Sequence, residues 1–359
     1  MESVDAMTEP ELLAAARTGD PGAFDRLVAP YRRELLAHCY RMLGSVQDAE
    51  DALQESLLGA WRGIGGFEGR SSLRGWLYRV CTNACLRLIS RRPRRVLSPD
   101  HGPARQDTAE LGAPVSGPIW LEPWPDDISA DTPHGRWPEP MVDTDDPAAR
   151  YLRRESVELA FVAALQFLPG TQRAVLILRE VLEFSAAETA RMLDTTPASV
   201  NSALQRARKA VGERTPGPSQ RDELAALGDD GCRALVDAFV AAWERADVPA
   251  LLTLLTEDAR FTMPPLPAWF DGRDSVARFL AERIFATPWR LLPFAANGQP
   301  GFACYLRTAE GEPYRLGAVN VLTLRDGRIR EITGFLDPEL HRHLGLPLEL
   351  AAPDGGPEK

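Results

Sequence analysis

No run of eighteen apolar residues occurs anywhere in the 359-residue chain, so a membrane-spanning helix is not expected. The opening MESVDAMTEPELLAAA has neither a basic leader nor a cleavage motif, and no signal peptide is read there. Cysteine is scarce: Cys39, Cys81, Cys85, Cys232 and Cys304 form no CxxC pair, and no His or third Cys stands at zinc-finger spacing from Cys81 and Cys85. Reduced, buried thiols of a cytoplasmic protein are expected, with no metal and no cofactor. Acidic residues nearly vanish between residues 60 and 95, where nine arginines face Glu68 alone, a net of +8. Residues 1–59 carry eleven acidic and five basic side chains, a net of −6, and residues 96–150 return to −8. The whole chain, at a net of −10, hides this segregation, which implies different partners for neighbouring surfaces.

What is present reads as helix over residues 8–95. VQDAEDALQESLLGAW keeps an apolar stripe through Val46, Ala49, Leu53, Leu57 and Ala60, and puts Asp48, Asp51 and Glu55 on the opposite face. A glycine-rich turn and the helix LRGWLYRVCTNACLRLISRR follow. Residues 96–149 read as a linker, since the eleven prolines of residues 93–150 sustain neither helix nor central strand. Trp120, Trp124 and Trp137 leave two readings of it open, a disordered spacer or a tether that packs its indoles on a neighbouring domain.

Residues 150–214 return to helix. Ser185 and Glu188 form a capping box, Thr196 and Pro197 supply an N-cap and a first-turn proline, and Asp194 sits where the turn needs a left-handed residue. This is a helix-turn-helix pattern. Over residues 222–345, helices precede segments of strand character, namely ARFTMPP, GFACYLRT, YRLGAVNVLTLRDG and RIREITGF, with RDGR as a hairpin turn, and the order suggests an α+β domain.

Three groups of residues carry candidate chemistry. Arg79, Asn83, Arg87 and Arg91 step by four along the helix face opposite Leu73, Leu77, Val80, Ala84 and Leu88, a row suited to phosphates and exposed base edges. The preceding loop and first turn offer Phe67, Arg70, Ser71, Ser72 and Arg74, a cationic and aromatic set that could hold an unstacked base. The second helix of the helix-turn-helix exposes Ser199, Asn201, Ser202, Gln205 and Arg206, short polar groups for major-groove edges, with Arg208 for phosphate.

SVQDAEDALQESLLGAW, FEGRSSLRGWLYRVCTNACL and FSAAETARMLDTTPASVNSALQRAR resemble, in order and spacing, the two conserved domains of bacterial extracytoplasmic-function (ECF) sigma factors. The last third resembles the SnoaL-like cone fold, so the chain looks like the sigma subgroup that carries this extra domain. The resemblance implies a multi-domain protein. Two all-α sigma domains, the second with the helix-turn-helix, are followed by a C-terminal α+β SnoaL-like cone. It further implies that Asp48, Asp51, Gln54, Glu55, Leu58 and Trp61 meet the RNA polymerase core. The segment from Phe67 to Arg92 would read and melt the minus-ten element of promoter DNA, and the helix-turn-helix would read the minus-thirty-five element. Basic residues common early in the family's recognition helix are replaced here by Asn201 and Ala203.

In the cone, candidate pocket residues are Trp243, Phe261, Met263, Trp269, Phe270, Trp289 and Tyr305, with Asp337 near the acid of cyclase relatives. Asp337 precedes Pro338 and could equally cap the next turn. The expected function is promoter recognition without enzymatic activity, the cone regulating it in response to a small-molecule ligand or an anti-sigma protein. The rivals are a cyclase-like enzyme fused to a DNA-binding half, and a helix-turn-helix regulator that does not bind polymerase.

Overall fold

Capping residues set the helix starts. In a computed structural model that describes residues 7–117, 119–126, 158–215 and 217–350, the chain divides into two units. The first comprises Met1–Arg94 with Ala164–Thr215, the second Arg95–Ala163 with Pro216–Lys359. The first unit begins with α1 (Glu9–Arg17), α2 (Pro21–Val28), α3 (Arg32–Leu43), α4 (Val46–Gly63) and α5 (Leu73–Ile89). Asp20 accepts from the N–H groups of Gly22 and Ala23 to start α2, and Ser45 accepts from the Asp48 N–H to start α4. The Ser72 hydroxyl accepts from the Gly75 N–H at the start of α5. The Ser72 side chain, expected to face DNA, therefore serves as an N-cap.

The unit continues beyond α6 (Ser98–His101) and α7 (Leu159–Gln166) with α8 (Gly170–Leu176), a π turn over Ile177–Val181, α9 (Ala186–Met192) and α10 (Pro197–Arg214). The capping box of Ser185 and Glu188 starts α9, and Thr196 caps α10 with Pro197 in the first turn. Asp194 takes φ 51° in the turn between them. The helix-turn-helix is thus built from local signals alone.

Leu35, Tyr40, Met42, Ala49, Leu77, Tyr78, Cys81 and Cys85 form the centre of this unit and are fully or almost fully buried. Arg173 of α8 ends among them, 3% exposed. Its guanidinium donates to the carbonyl oxygen of Met42 at the end of α3. It also donates to Gln166 Oε1 at 2.7 Å, to the Gln166 carbonyl at 2.9 Å and to the Leu168 carbonyl at 3.2 Å. These are carbonyls that helix ends leave without partners.

His38 of α3 is fully buried, with Nε2 2.9 Å from Thr82 Oγ1. Burial first, then the positive charges of Arg41 and Arg74, hold its pKa down to about 3. The folded state therefore keeps the ring neutral while the unfolded chain protonates it near its ordinary value of about 6.5. Stability from this group is complete above that value and falls as pH drops toward 3. Between pH 7 and pH 5 the loss is expected to be about 2 kcal/mol. Urea unfolding followed at both values should show it, and His38→Gln should flatten the dependence.

The second unit carries α11 (Gln220–Glu244), kinked at Gly228 with φ 71°, and α12 (Val248–Leu254). Then come β1 (Leu255–Thr262), β2 (Trp269–Asp271), α13 (Arg273–Glu282), β3 (Trp289–Ala296) and β4 (Gln299–Leu306). β5 (Tyr314–Arg325), β6 (Arg328–Phe335), α14 (Pro338–His343) and β7 (Glu349–Leu350) complete the described part. The sheet order is β2-β1-β6-β5-β4-β3, with β7 on β5; β1 and β6 are parallel and the other pairs antiparallel. Asp326 and Gly327 at φ 53° and 71° turn β5 into β6, and Asn297 and Gly298 at 59° and 66° turn β3 into β4. Both are the paired positive-φ turns that match strand twist. One sheet face packs on α11 and α13, with Phe239 stacked on Phe302 at 4.8 Å and Phe270 on Phe279 at 4.3 Å.

The proline-rich segment does not behave as a free spacer in its described part. Trp120 and Trp124 are 7% and 5% exposed, and residues 95–126 run as a strap over the sheet domain. Ser98 Oγ donates to the Leu266 carbonyl, the Trp269 indole to the Gly102 carbonyl at 2.8 Å, and the Val115 N–H to the Pro265 carbonyl at 3.0 Å. At the far end, Trp124 and Asn297 exchange hydrogen bonds of 2.8 Å beside a Pro125–Ala296 bridge. Trp137 lies outside the described residues.

Candidate functional site

α4 offers a surface of mixed character. Asp51, Gln54 and Glu55 are exposed, and Leu58 is 50% exposed, a large aliphatic group in water. Beside Leu58 lies an open groove of about 440 Å³ between α2, α3 and α4, walled by Phe24, Leu36, Leu53, Leu57 and Trp61. Asp25, Glu50, Arg32 and Gln54 also line it. Trp61 packs on Phe24 at 5.2 Å and is half-buried. An apolar trough edged by charge has the composition common at protein-docking surfaces. Asp48 does not belong to it: the residue is 6% exposed and ion-paired with Arg92. The helical wheel places Asp48 on the acidic face, but the chain returns after α5 and covers the first turn of α4.

The basic row divides in a similar way. Arg79 and Arg91 are exposed and carry no ion pair among the described residues, and Asn83 is half-buried between them. Arg87 is bonded at 2.8 Å to Glu55, with both side chains more than half exposed. A surface pair of this kind contributes at most about 1 kcal/mol, so either partner remains free to exchange it for another. Arg70 and Ser71 are exposed on the loop before α5, Arg70 paired with Glu68.

Two expected DNA contacts are occupied within the unit. Phe67 is 7% exposed, packed against Trp76 at 5.2 Å and beneath Arg17, and presents no face to a base. Arg74 is held at 3.3 Å by Glu34 and lies 4.9 Å from the Tyr78 ring and 4.8 Å from the Phe184 ring. Phe184 leads into α9 and meets Tyr78 edge-on at 5.3 Å. The segment before the helix-turn-helix therefore sits on the first turns of α5, where Gly75 leaves room for Met192.

On α10, Ser199, Asn201, Ser202, Gln205, Arg206 and Arg208 are all exposed along one side, while Val200, Ala203, Leu204 and Ala207 are buried. Ala203 faces the core, so a basic residue there could not read DNA without losing this packing. Arg208 is paired with Glu180 at 2.6 Å, and Ser199 lies 3.0 Å from Thr196 Oγ1.

The sheet domain holds a separate cavity of about 210 Å³. Trp243, Phe261, Met263 and Trp289 line it, together with Leu111 of the strap and Asn320 and Arg283. Trp269, Phe270 and Tyr305 are not among its lining residues. The Trp269 indole turns to Gly102, and Phe270 is stacked in the core. Asp337 is no pocket acid either, since its carboxylate caps α14 by accepting from the Glu339 N–H at 2.9 Å. Sequence reasoning missed Leu111, Asn320 and Arg283, whose placement depends on how strap, sheet and helix converge. No group of three or more His, Cys, Asp or Glu among the described residues could hold a metal ion. No helix among them is long and apolar enough to cross a membrane.

The Sigma-70 region 2 family matches residues 27–95, the Sigma-70 region 4 family residues 158–211, and the SnoaL-like domain family residues 236–332. The ECF RNA polymerase sigma factor SigG of Mycobacterium tuberculosis is 41% identical over 333 residues, spanning 91% of this chain and 84% of SigG. The chain belongs to the ECF RNA polymerase sigma factors. A second such sigma factor of the same species, SigJ, is 26% identical over 337 residues, 89% of this chain and 92% of SigJ. The crystal structure of SigJ matches with a TM-score of 0.57 at 22% identity, over 90% of this chain and 99% of that one, which shows the shared fold. The α4–α5 surfaces thus lie in sigma region 2, the helix-turn-helix in region 4, and the 210 Å³ cavity in the SnoaL-like domain.

Proposed function

We propose that this sigma factor, acting in the cytoplasm, seats itself on core RNA polymerase through α4 and reads promoter DNA with α5 and α10. Asp51, Gln54, Glu55, Leu58 and Trp61 form the docking face. Arg70, Ser71, Arg79, Asn83, Arg87 and Arg91 face the minus-ten element, and Ser199, Asn201, Ser202, Gln205, Arg206 and Arg208 the minus-thirty-five element. The observation that carries this reading is the half-exposed Leu58 at the lip of an apolar groove flanked by exposed carboxylates, one helix away from a row of exposed arginines. Acid toward protein and base toward DNA gives each surface one class of partner. In vitro transcription with core polymerase tests it. Start-site selectivity gained on adding this chain supports the reading, and its absence overturns it.

Arg79 and Arg91 act on phosphate and on opened duplex. Arg79→Ala with Arg91→Ala is expected to leave polymerase binding intact. Each arginine removed should make the dependence of promoter affinity on salt shallower, by about one unit of slope for every phosphate it neutralised. Permanganate footprints of melted promoter should weaken in parallel.

The SnoaL-like domain regulates rather than catalyses. Among the described residues no Asp, Glu or His lines its cavity, so that lining supplies no carboxylate or imidazole for proton transfer. The strap, whose residue Leu111 reaches that cavity and whose Arg95 follows directly on Arg94 of the first unit, is the physical route for a signal. Removal of residues 218–359 should therefore change transcription from the same promoter.

A further inference from the structure

We infer that the cavity of the SnoaL-like domain is a binding site for a small apolar carboxylic acid. This deepens the regulatory reading of that domain, on which it rests for its consequence but not for its chemistry. The walls are aromatic and aliphatic, with Trp243, Phe261, Met263 and Phe279 forming most of the apolar surface. Among the described residues its polar lining consists of Arg283, Asn320 and Cys304, with no carboxylate. The Trp243 indole N–H has no hydrogen-bond partner among the described residues, and the residue is only 2% exposed. The other cavity indole, of Trp289, is already spent on the Ile284 carbonyl at 2.7 Å. A buried indole N–H ordinarily finds an acceptor, so one left over in a residue of the cavity wall points to an oxygen-bearing occupant.

Arg283, exposed just after α13, is also a lining residue and has no ion pair among the described residues. Asn320, 2% exposed, adds an amide on β5. Cys304 on β4 is a neutral thiol, because burial pushes its pKa up. It offers neither negative charge nor a nucleophile. An apolar body satisfies the walls, and one carboxylate satisfies guanidinium and donor together with a charge-assisted pairing that no lining acid contests. The volume of about 210 Å³ accommodates on the order of ten non-hydrogen atoms, the size of an arylalkanoate or a medium-chain fatty acid.

Because Leu111 of the strap forms part of the wall, an acid in the cavity touches the strap directly. Occupancy adds apolar contact to Leu111 and holds residues 96–126 on the sheet domain more firmly. Ligand concentration becomes strap order.

The full chain titrated calorimetrically with 3-phenylpropanoate and with octanoate tests this, with 3-phenylpropan-1-ol as the uncharged control. Saturable single-site binding of at least one acid is expected, accompanied by a change in tryptophan emission and slower limited proteolysis within residues 96–126. The alcohol should bind about tenfold more weakly, as should the acid to Arg283→Gln, whose exposed position leaves the fold intact. No saturable binding by either acid overturns the site. Equal binding of acid and alcohol, or undiminished acid binding by the Arg283→Gln protein, overturns the assignment to carboxylic acids. In vitro transcription with and without the acid is read separately. Binding with unchanged transcription keeps the site and overturns its regulatory use.

Discussion

Replacing Arg173 by alanine is expected to destabilise the first unit by about 3 kcal/mol or more, well beyond the effect of an ordinary surface substitution in this sigma factor. The guanidinium is 3% exposed and serves carbonyls at the end of α3 and around the turn from α7 to α8. Burial lowers its pKa only to about 10, so it remains charged at neutral pH. Alanine removes the charge, which by itself relieves a desolvation cost. It also removes the guanidinium donor from the Met42, Gln166 and Leu168 carbonyls, and leaves a void. Lysine keeps the charge but not the planar fork, and should recover less than half of the loss. The measurement is a thermal or urea unfolding curve. A transition lowered by on the order of 10 °C is expected for Arg173→Ala, against an unchanged curve for the exposed Arg206→Ala. An Arg173→Ala protein as stable as the parent would mean that water replaces the guanidinium at all of these carbonyls.

That residue also shows where sequence reading stops. Features whose partners are a few positions away were legible. The capping box of Ser185 and Glu188, the Thr196–Pro197 start, the left-handed Asp194 and the Asp326–Gly327 turn each depend on neighbours within four residues. Features set by distant partners were not. Asp48 and Arg92 are 44 positions apart, and Glu34 and Arg74 are 40 apart. A helical wheel sees neither pair: it leaves Asp48 on the acidic face, which the resemblance assigns to polymerase, and Arg74 among the basic residues assigned to DNA. Phe67 fails for the same reason, since the glycines around it suggest an open loop while Trp76 and Arg17 close over the ring.

β3 is a different kind of miss. Its Asn297–Gly298 turn is a local signal, but Pro293 in the strand argues against one unless the strand lies at a sheet edge, which β3 does. Of the two readings that composition leaves open for the strap, its described part follows the tether. Apart from the four-residue α6 its described residues are irregular, yet an irregular segment can still be ordered when its indoles find a surface. Trp120 and Trp124 find one. Cavity walls drawn from strap, helix and strand together, such as Leu111, Arg283 and Asn320, have no local signature at all.

Substituting aspartate for Leu58 is expected to weaken polymerase docking by roughly thirtyfold or more without unfolding the protein. At 50% exposure the side chain contributes little to the stability of α4, and a polar replacement there should change it by no more than about 0.5 kcal/mol. Its value is in the complex. Leu58 stands beside Trp61 and Leu57 on a groove that acidic and polar side chains border, the arrangement in which one apolar anchor carries much of an interface. Burying a carboxylate in that position forfeits the anchor and adds an uncompensated charge, together at least about 2 kcal/mol, or roughly thirtyfold in affinity. Asp51→Lys, an exposed charge at the rim, should act mainly on the association rate and lose its effect as salt rises. The two substitutions therefore separate the roles. Fluorescence titration of labelled core polymerase should give a salt-insensitive defect for Leu58→Asp and a salt-sensitive one for Asp51→Lys. Wild-type affinity in the Leu58→Asp protein, with its helix content unchanged, would move the docking face off α4 and leave the groove without its assigned partner.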